Sequence, residues 1–293
     1  EVIVERWRES GSLPGARSRS LRALIGRAAG GPLHIDLLTD GPHALVGGTT
    51  GSGKSELLQT WVAALAATHS PARVTFLFVD YKGGAAFGEC LALPHCVGLV
   101  TDLDGRLVGR ALRSLDAELR RRERVLRDRN AKDLLELERQ GDPDCPPRLV
   151  IVVDEFAALV ADVPEFVDGV VGIAQRGRSL GLHLVLATQR PAGVVSDHIR
   201  ANTDLRIALR MSDVADSIDV VGAPVAATFD RAAPGRAVVS TGPARLVVFQ
   251  GAHVGGAALD PRPTSLAVRS LRSGGDDGWC APAAVTDAPA TAG

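Results

Sequence analysis

Apolar and polar positions along the chain change period several times, and each change marks an element. From Leu33 the run LHIDL alternates in twos, the period of a half-buried strand. The turn TDGPH leads into ALVGG, a second strand, and a glycine-rich loop then gives way to a helix over Lys54–Thr68. After the breaker SPA, Val74–Asp80 (VTFLFVD) is a continuous apolar run closed by an acid, as suits a strand buried on both faces of a parallel sheet. Residues Gly105–Gly141 read as helical, with Leu107, Ala111, Leu115, Leu119 and Leu126 on one face. Leu149–Val153 is another buried strand, followed by a helix over Pro164–Arg178 and strands at Leu182–Thr188 and Leu205–Leu209. Ala237–Val239 and Arg245–Gln250 form a terminal pair of strands. Strands alternating with helices predict right-handed βαβ units and a mostly parallel sheet covered on both faces, an α/β class.

Three segments follow from this pattern. Residues 1–30 are polar and rich in Arg, Gly and Ser, a lead-in with a short helix expected near Ser20–Arg27. Residues 31–255 carry the alternating elements, and 273–293 are poor in order-forming residues and read as a flexible tail. The chain opens EVIVERWRES, without an initiator Met, and reads as a piece of a longer protein. No apolar run approaches the roughly 18 residues of a membrane span.

Composition narrows the function classes. The 293 residues are 45% hydrophobic and 23% charged, enough for one sizeable core. A net charge of −1 provides no global field for nucleic acid, and 4% aromatics argue against a single-strand binder built on stacking. The stretch RRRERVLRDR (Arg120–Arg129) is interleaved with Glu118, Glu123 and Asp128, and reads as a solvated helix face. Cys90, Cys96, Cys145 and Cys280 fit neither a disulfide scaffold nor a zinc pattern, and the seven histidines lack metal-ligand spacing.

The chemistry concentrates at strand ends. GGTTGSGKS holds G-x-x-x-x-G-K-S, with Gly48, Thr49, Thr50, Gly51, Ser52, Gly53, Lys54, Ser55 and Glu56 as the nucleotide-binding stretch. Its glycines admit backbone angles that turn N–H groups toward a phosphate, and the helix that follows presents its positive end to an anion. Lys54 is expected to reach the β- and γ-phosphates of ATP, and the Ser55 hydroxyl to ligate Mg²⁺. LVIVVDEF puts Asp154 and Glu155 past a buried strand, Asp154 to hold Mg²⁺ and Glu155 to polarise the attacking water. Gln189, in LATQRP, stands at another strand end where it can sense the γ-phosphate. Asp80 and Lys82 (VDYKGG) are a further pair at a strand end. Among Arg176, Arg178, Arg200, Arg206 and Arg210, Arg206 is the candidate for an arginine acting on a neighbouring subunit's site.

Taken together, GTTGSGKSELLQTWV, FVDYKGG, LPHCVGLVTDL, RLVIVVDEFAAL, AQRGRSLGLHLVLATQRP and IRANTDLRIALR resemble the FtsK/SpoIIIE family of ring-forming motor ATPases over about residues 33–250. DYKGGAAFG and ATQRPAG are most similar to the actinobacterial EccC-like branch, which includes the motors of type VII secretion. DNA translocases of the family usually carry a DPK-type sequence where this chain has DYK at 80–82. The resemblance implies a RecA-like P-loop NTPase fold and ATP hydrolysis coupled to moving a polymer. Lys54 and Ser55 would be Walker A residues, Asp154 and Glu155 Walker B, Gln189 the sensor and Arg206 the trans-acting arginine. It also implies a hexameric ring or tandem ATPase domains, a cytoplasmic location, and membrane attachment only through segments outside this chain. The implied cargo is a secreted protein; double-stranded DNA, or a scaffold role with little turnover, is the alternative.

Overall fold

A computed structural model describes residues 3–5, 7, 20–80, 85–101, 105–162, 164–191, 197–242 and 245–255. The tail expected over 273–293 and Lys82 lie outside the described residues.

The strands are β1 (Arg22–Ala28), β2 (Gly31–Asp36), β3 (Ala44–Gly47), β4 (Val74–Asp80), β5 (Cys96–Val100), β6 (Arg148–Asp154), β7 (Leu182–Thr188), β8 (Leu205–Leu209), β9 (Arg236–Thr241) and β10 (Leu246–Gly251). They form one sheet in the order β2-β1-β10-β9-β8-β3-β7-β6-β4-β5. From β8 to β5 every neighbour is parallel, and from β8 through β9, β10 and β1 to β2 every neighbour is antiparallel. The expected α/β architecture is present, with an antiparallel extension on one side.

Alternation in the central strands explains the two-sided core. In β6, Leu149, Ile151 and Val153 face one hydrophobic cluster while Val150 and Val152 face the other. Helix α1 (Lys54–Thr68) covers the second face through Leu57, Leu58, Trp61, Val62 and Leu65. The first face is covered by α2 (Gly105–Asp128), α3 (Leu134–Gln140), α4 (Phe156–Asp162), α5 (Pro164–Leu180), α6 (Asp197–Asn202) and α7 (Val214–Val221). Among the described residues no helix is long and apolar enough to cross a membrane.

Two expectations need correction. The helix expected near Ser20–Arg27 is strand β1, which pairs with β10 far along the chain. Its Ala23 and Ile25 are buried while Leu24 is exposed, and a Cβ at Gly26 would run into the Gln250 carbonyl. The helical stretch Gly105–Gly141 is two helices. Asn130 turns the chain at φ 52°, and the Asp133 carboxylate caps α3 by accepting from Glu136 N at 2.8 Å.

The Arg-rich stretch is solvated, as expected, at Arg120, Arg121 and Arg129, which are exposed and also ion-paired. Arg122 departs from it: it is 2% exposed and donates to the carbonyls of Leu180 and Pro147 as well as to Glu118. It thereby ties α2 to the N-terminal ends of β6 and β7. Nearby, Arg148 grips Glu138 with two bonds of 3.0 and 2.9 Å, both side chains buried. Arg148 Nη1 also faces His183 Nε2 at 3.4 Å, and His183 Nδ1 meets the Pro42 carbonyl at 2.9 Å. The imidazole is therefore neutral, donating from Nδ1 and accepting at Nε2.

Burial, then the Arg148 charge, pulls His183 down to about 3. Burial and Arg73 pull His69 down to about 4. Both histidines bind a proton more readily unfolded than folded, so the unfolded state gains protons first as pH falls. The stability they supply is present above about pH 6.5 and is lost as pH falls through the window down to about 4 for His69 and about 3 for His183. Each costs up to about 1.4 kcal/mol per pH unit inside that window. Thermal unfolding at pH 7 and pH 5 checks this: the wild-type melting temperature falls on acidification, and His183→Gln, which keeps a donor and an acceptor, shrinks the fall.

Candidate nucleotide site

The parallel register decides which side chains meet. Gly47 is level with Thr188 of β7 and Ala208 of β8, and Asp80 is level with Asp154. The carboxyl ends of β3, β4, β6, β7 and β8 thus open on one rim, where ligands of open α/β sheets bind.

The loop between β3 and α1 is pinned on three sides. Gly48 N donates to the Thr188 carbonyl at 3.1 Å, Thr49 N to the Arg210 carbonyl at 3.0 Å, and Gly235 N to the Ser52 carbonyl at 2.8 Å. Two glycines are required by geometry. A Cβ on Gly48 would stand 2.6 Å from Ser52 Oγ, and Gly53 has φ 93° with the Gly235 nitrogen 2.8 Å from where its Cβ would lie. Helix α1 begins with no side-chain cap, so its first N–H groups face the cradle. Ser52 is buried, and its hydroxyl has no hydrogen-bond partner among the described residues. An uncapped helix start, an orphaned buried hydroxyl and a cradle that a methyl group would fill fit a bound phosphate chain.

Lys54 and Asp154 are both buried and form an ion pair across the rim, between the end of β3 and the end of β6. Asp154 Oδ1 also accepts from Glu155 N at 3.0 Å. Glu155 is 6% exposed and sits at φ 57°, a strained angle for a non-glycine residue and one typical of functional sites. Its carboxylate accepts from Gln189 N at 3.3 Å. The Gln189 side chain in turn accepts from the Thr50 hydroxyl at 2.9 Å. Ser55 is half-buried in the first turn of α1 and Glu56 is exposed beside it. The donor set for Mg²⁺, one hydroxyl and one carboxylate beside phosphate oxygens, suits a hard cation. Asp80, 1% exposed, accepts from Ala86 N at 3.1 Å.

Sequence reasoning thus brought Lys54, Asp154, Glu155 and Gln189 to one place. Arg206 is not brought there: its guanidinium donates to the Thr203 and Arg200 carbonyls at 2.9 and 2.8 Å, and it lies early in β8, level with Leu45. Arg210, passed over in favour of Arg206, stands at the end of β8 and donates to the Thr50 carbonyl at 3.3 Å. Applying the strand-end rule to β8 would have found it. A separate cleft of about 380 Å³ opens at the N-terminal ends of the strands, lined by Pro42, Asp133, Arg148, Arg178 and His183. None of the candidates kept for the nucleotide site line it.

Residues 8–193 match the model of the FtsK/SpoIIIE family. The chain belongs to that family. It is 41% identical over 250 residues to the ESX secretion system protein EccC of Geobacillus thermodenitrificans, covering 82% of this chain and 16% of that protein. The cytoplasmic domain of the type VII secretion ATPase EccC of Thermomonospora curvata superposes with a TM-score of 0.79 at 39% identity, over 87% of this chain and 30% of the other. A structure of ATPases 2 and 3 of the same EccC in complex with a signal sequence peptide gives 0.68 at 26% identity, over 79% and 42%. This FtsK/SpoIIIE domain therefore spans only a small part of the secretion proteins it resembles, and its fold is that of their P-loop ATPase domains.

Gly53→Ala is expected to weaken ATP binding at least tenfold, because the strained N-cap angle and the Gly235 backbone leave its Cβ nowhere to go. Calorimetric titration of the variant, beside a circular dichroism melt showing it folded, is the check.

Proposed function

We propose that this domain binds ATP with Mg²⁺ and hydrolyses it, as one motor unit of a type VII-like protein export machine. The observation that carries the reading is the meeting of Lys54, Asp154, Glu155 and Gln189 on one rim beside an uncapped helix start. A scaffold that only bound nucleotide would need no buried, strained carboxylate beside its sensor.

Lys54 would leave Asp154 for the phosphates. Mg²⁺, when bound, would be held by Ser55 and Asp154 and would neutralise charge on the phosphate oxygens. Glu155 would take the proton of the attacking water, and its Gln189 N–H partner would keep the carboxylate turned to the rim. Arg206 would act on a neighbouring subunit's nucleotide, in a hexameric ring or between tandem ATPase domains, after giving up its two carbonyl partners. The cytoplasmic description of one relative supports a cytoplasmic domain, with any membrane attachment made by other parts of the full protein. The signal peptide bound by another supports a secreted polypeptide as cargo. A net charge of −1 and an ion-paired Arg-rich helix favour protein over double-stranded DNA.

Steady-state turnover tests this. Glu155→Gln lowers the rate at least about 100-fold while ATP binding persists. Wild-type turnover per chain rises with protein concentration, and Arg206→Ala removes the rise. Stimulation by double-stranded DNA that disappears with added salt would move the cargo from protein to DNA.

A further inference from the structure

The tip of the phosphate loop is clasped between two strand ends, and Thr50 is the point where the clasp closes. Its hydroxyl donates to Gln189 Oε1 at 2.9 Å, just past β7. Its carbonyl accepts from Arg210 Nη2 at 3.3 Å, just past β8. The neighbouring Thr49 holds the same strand end, with both its N–H and its hydroxyl on the Arg210 carbonyl at 3.0 Å. On the other side of Gln189, the backbone N–H is taken by Glu155. The loop tip, the sensor and the general base are therefore one hydrogen-bonded line.

A primary amide has one acceptor end and one donor end, and which end faces the phosphates decides whether it attracts or repels them. A hydroxyl that donates to Oε1 turns that oxygen toward the loop and leaves the two N–H donors for the cradle. The opposite flip would set a carbonyl dipole against the γ-phosphate oxygens. Threonine suits the task because its branched Cβ restricts the hydroxyl to few directions. Thr50 is exposed, so this bond contributes little to folding and acts on the site instead.

We propose that Thr50 is a positioning residue for Gln189: it orients the amide so that its N–H groups read the γ-phosphate, with Arg210 bracing the loop from β8. The proposal rests on the nucleotide-binding reading above. It predicts that the preference for a γ-phosphate depends on the Thr50 hydroxyl only while Gln189 is present.

The test measures the ratio of ADP to ATPγS dissociation constants, in Mg²⁺ buffer, for wild type, Thr50→Val, Thr50→Ser, Gln189→Ala and the Thr50→Val/Gln189→Ala double variant. Wild type prefers ATPγS. Thr50→Val lowers the preference about threefold to tenfold, the worth of one net hydrogen bond, and Thr50→Ser restores it. Gln189→Ala lowers it as far, and adding Thr50→Val changes nothing more. Thr50→Val melts at the wild-type temperature. A Thr50→Val chain with the wild-type ratio, additive losses in the double variant, or a wild type without preference overturns the clasp alone. A wild type that binds neither nucleotide overturns the functional reading together with it.

Discussion

The buried pair of Lys54 and Asp154 is the constraint on which the site is built. Each charge has left water, and neither could remain buried alone without a penalty of several kcal/mol. The sheet order sets how they meet: β3 and β6 are separated by β7, so the pair reaches across the end of β7. Because each partner neutralises the other, the pair can open only when something else supplies both charges. In the proposed function ATP with Mg²⁺ would do so, with phosphate for the lysine and a cation for the aspartate. Binding is in this view an exchange of counter-ions, in which each buried charge would keep a partner throughout.

The two ends of the parallel sheet serve opposite purposes. At the amino ends, Arg148, Glu138, Arg73, Arg122 and His183 are bound into a buried lattice of bidentate and carbonyl contacts. This network fixes the packing of α2, α3, β6 and β7. At the carboxyl ends, the loop is pinned by backbone bonds to the ends of β7 and β8 and to the turn before β9, and by the exposed side-chain bonds of Thr50 with Gln189 and Arg210. Strain is kept at Glu155, and the buried Ser52 hydroxyl has no hydrogen-bond partner among the described residues. Rigidity below and unspent bonding capacity above are what a site that must accept and release phosphate needs.

The central part of this arrangement was legible because it is written locally. VTFLFVD and LVIVVDEF are unbroken apolar runs, and only a parallel strand buried on both faces needs such a run. The acid that ends each run then falls on the rim. The antiparallel extension was not legible in the same way. β1 contains Arg22, Gly26 and Arg27, which look like loop, and is a strand because it pairs with β2 beside it and with β10 far along the chain. Arg122 looked like its solvated neighbours until three-dimensional packing set it against the Leu180 and Pro147 carbonyls. The links from Thr50 to Gln189 and Arg210 join positions about 140 and 160 residues apart, and no local pattern announces them. Short helices such as α7 were marked by Asp213 before and Gly222 after, a cap signal that periodicity alone passes over.

The most direct test of the counter-ion exchange is ATP affinity of wild type and Asp154→Asn, each titrated with Mg²⁺ and with the metal chelated. The account predicts that wild type binds ATP more tightly with Mg²⁺ than without it. Asp154→Asn frees Lys54 and removes a metal ligand, so it binds chelated ATP at least as tightly as wild type does and gains little from Mg²⁺. An Asp154→Asn chain, shown folded, that binds chelated ATP far more weakly than wild type, or that keeps the full wild-type gain from Mg²⁺, would contradict it.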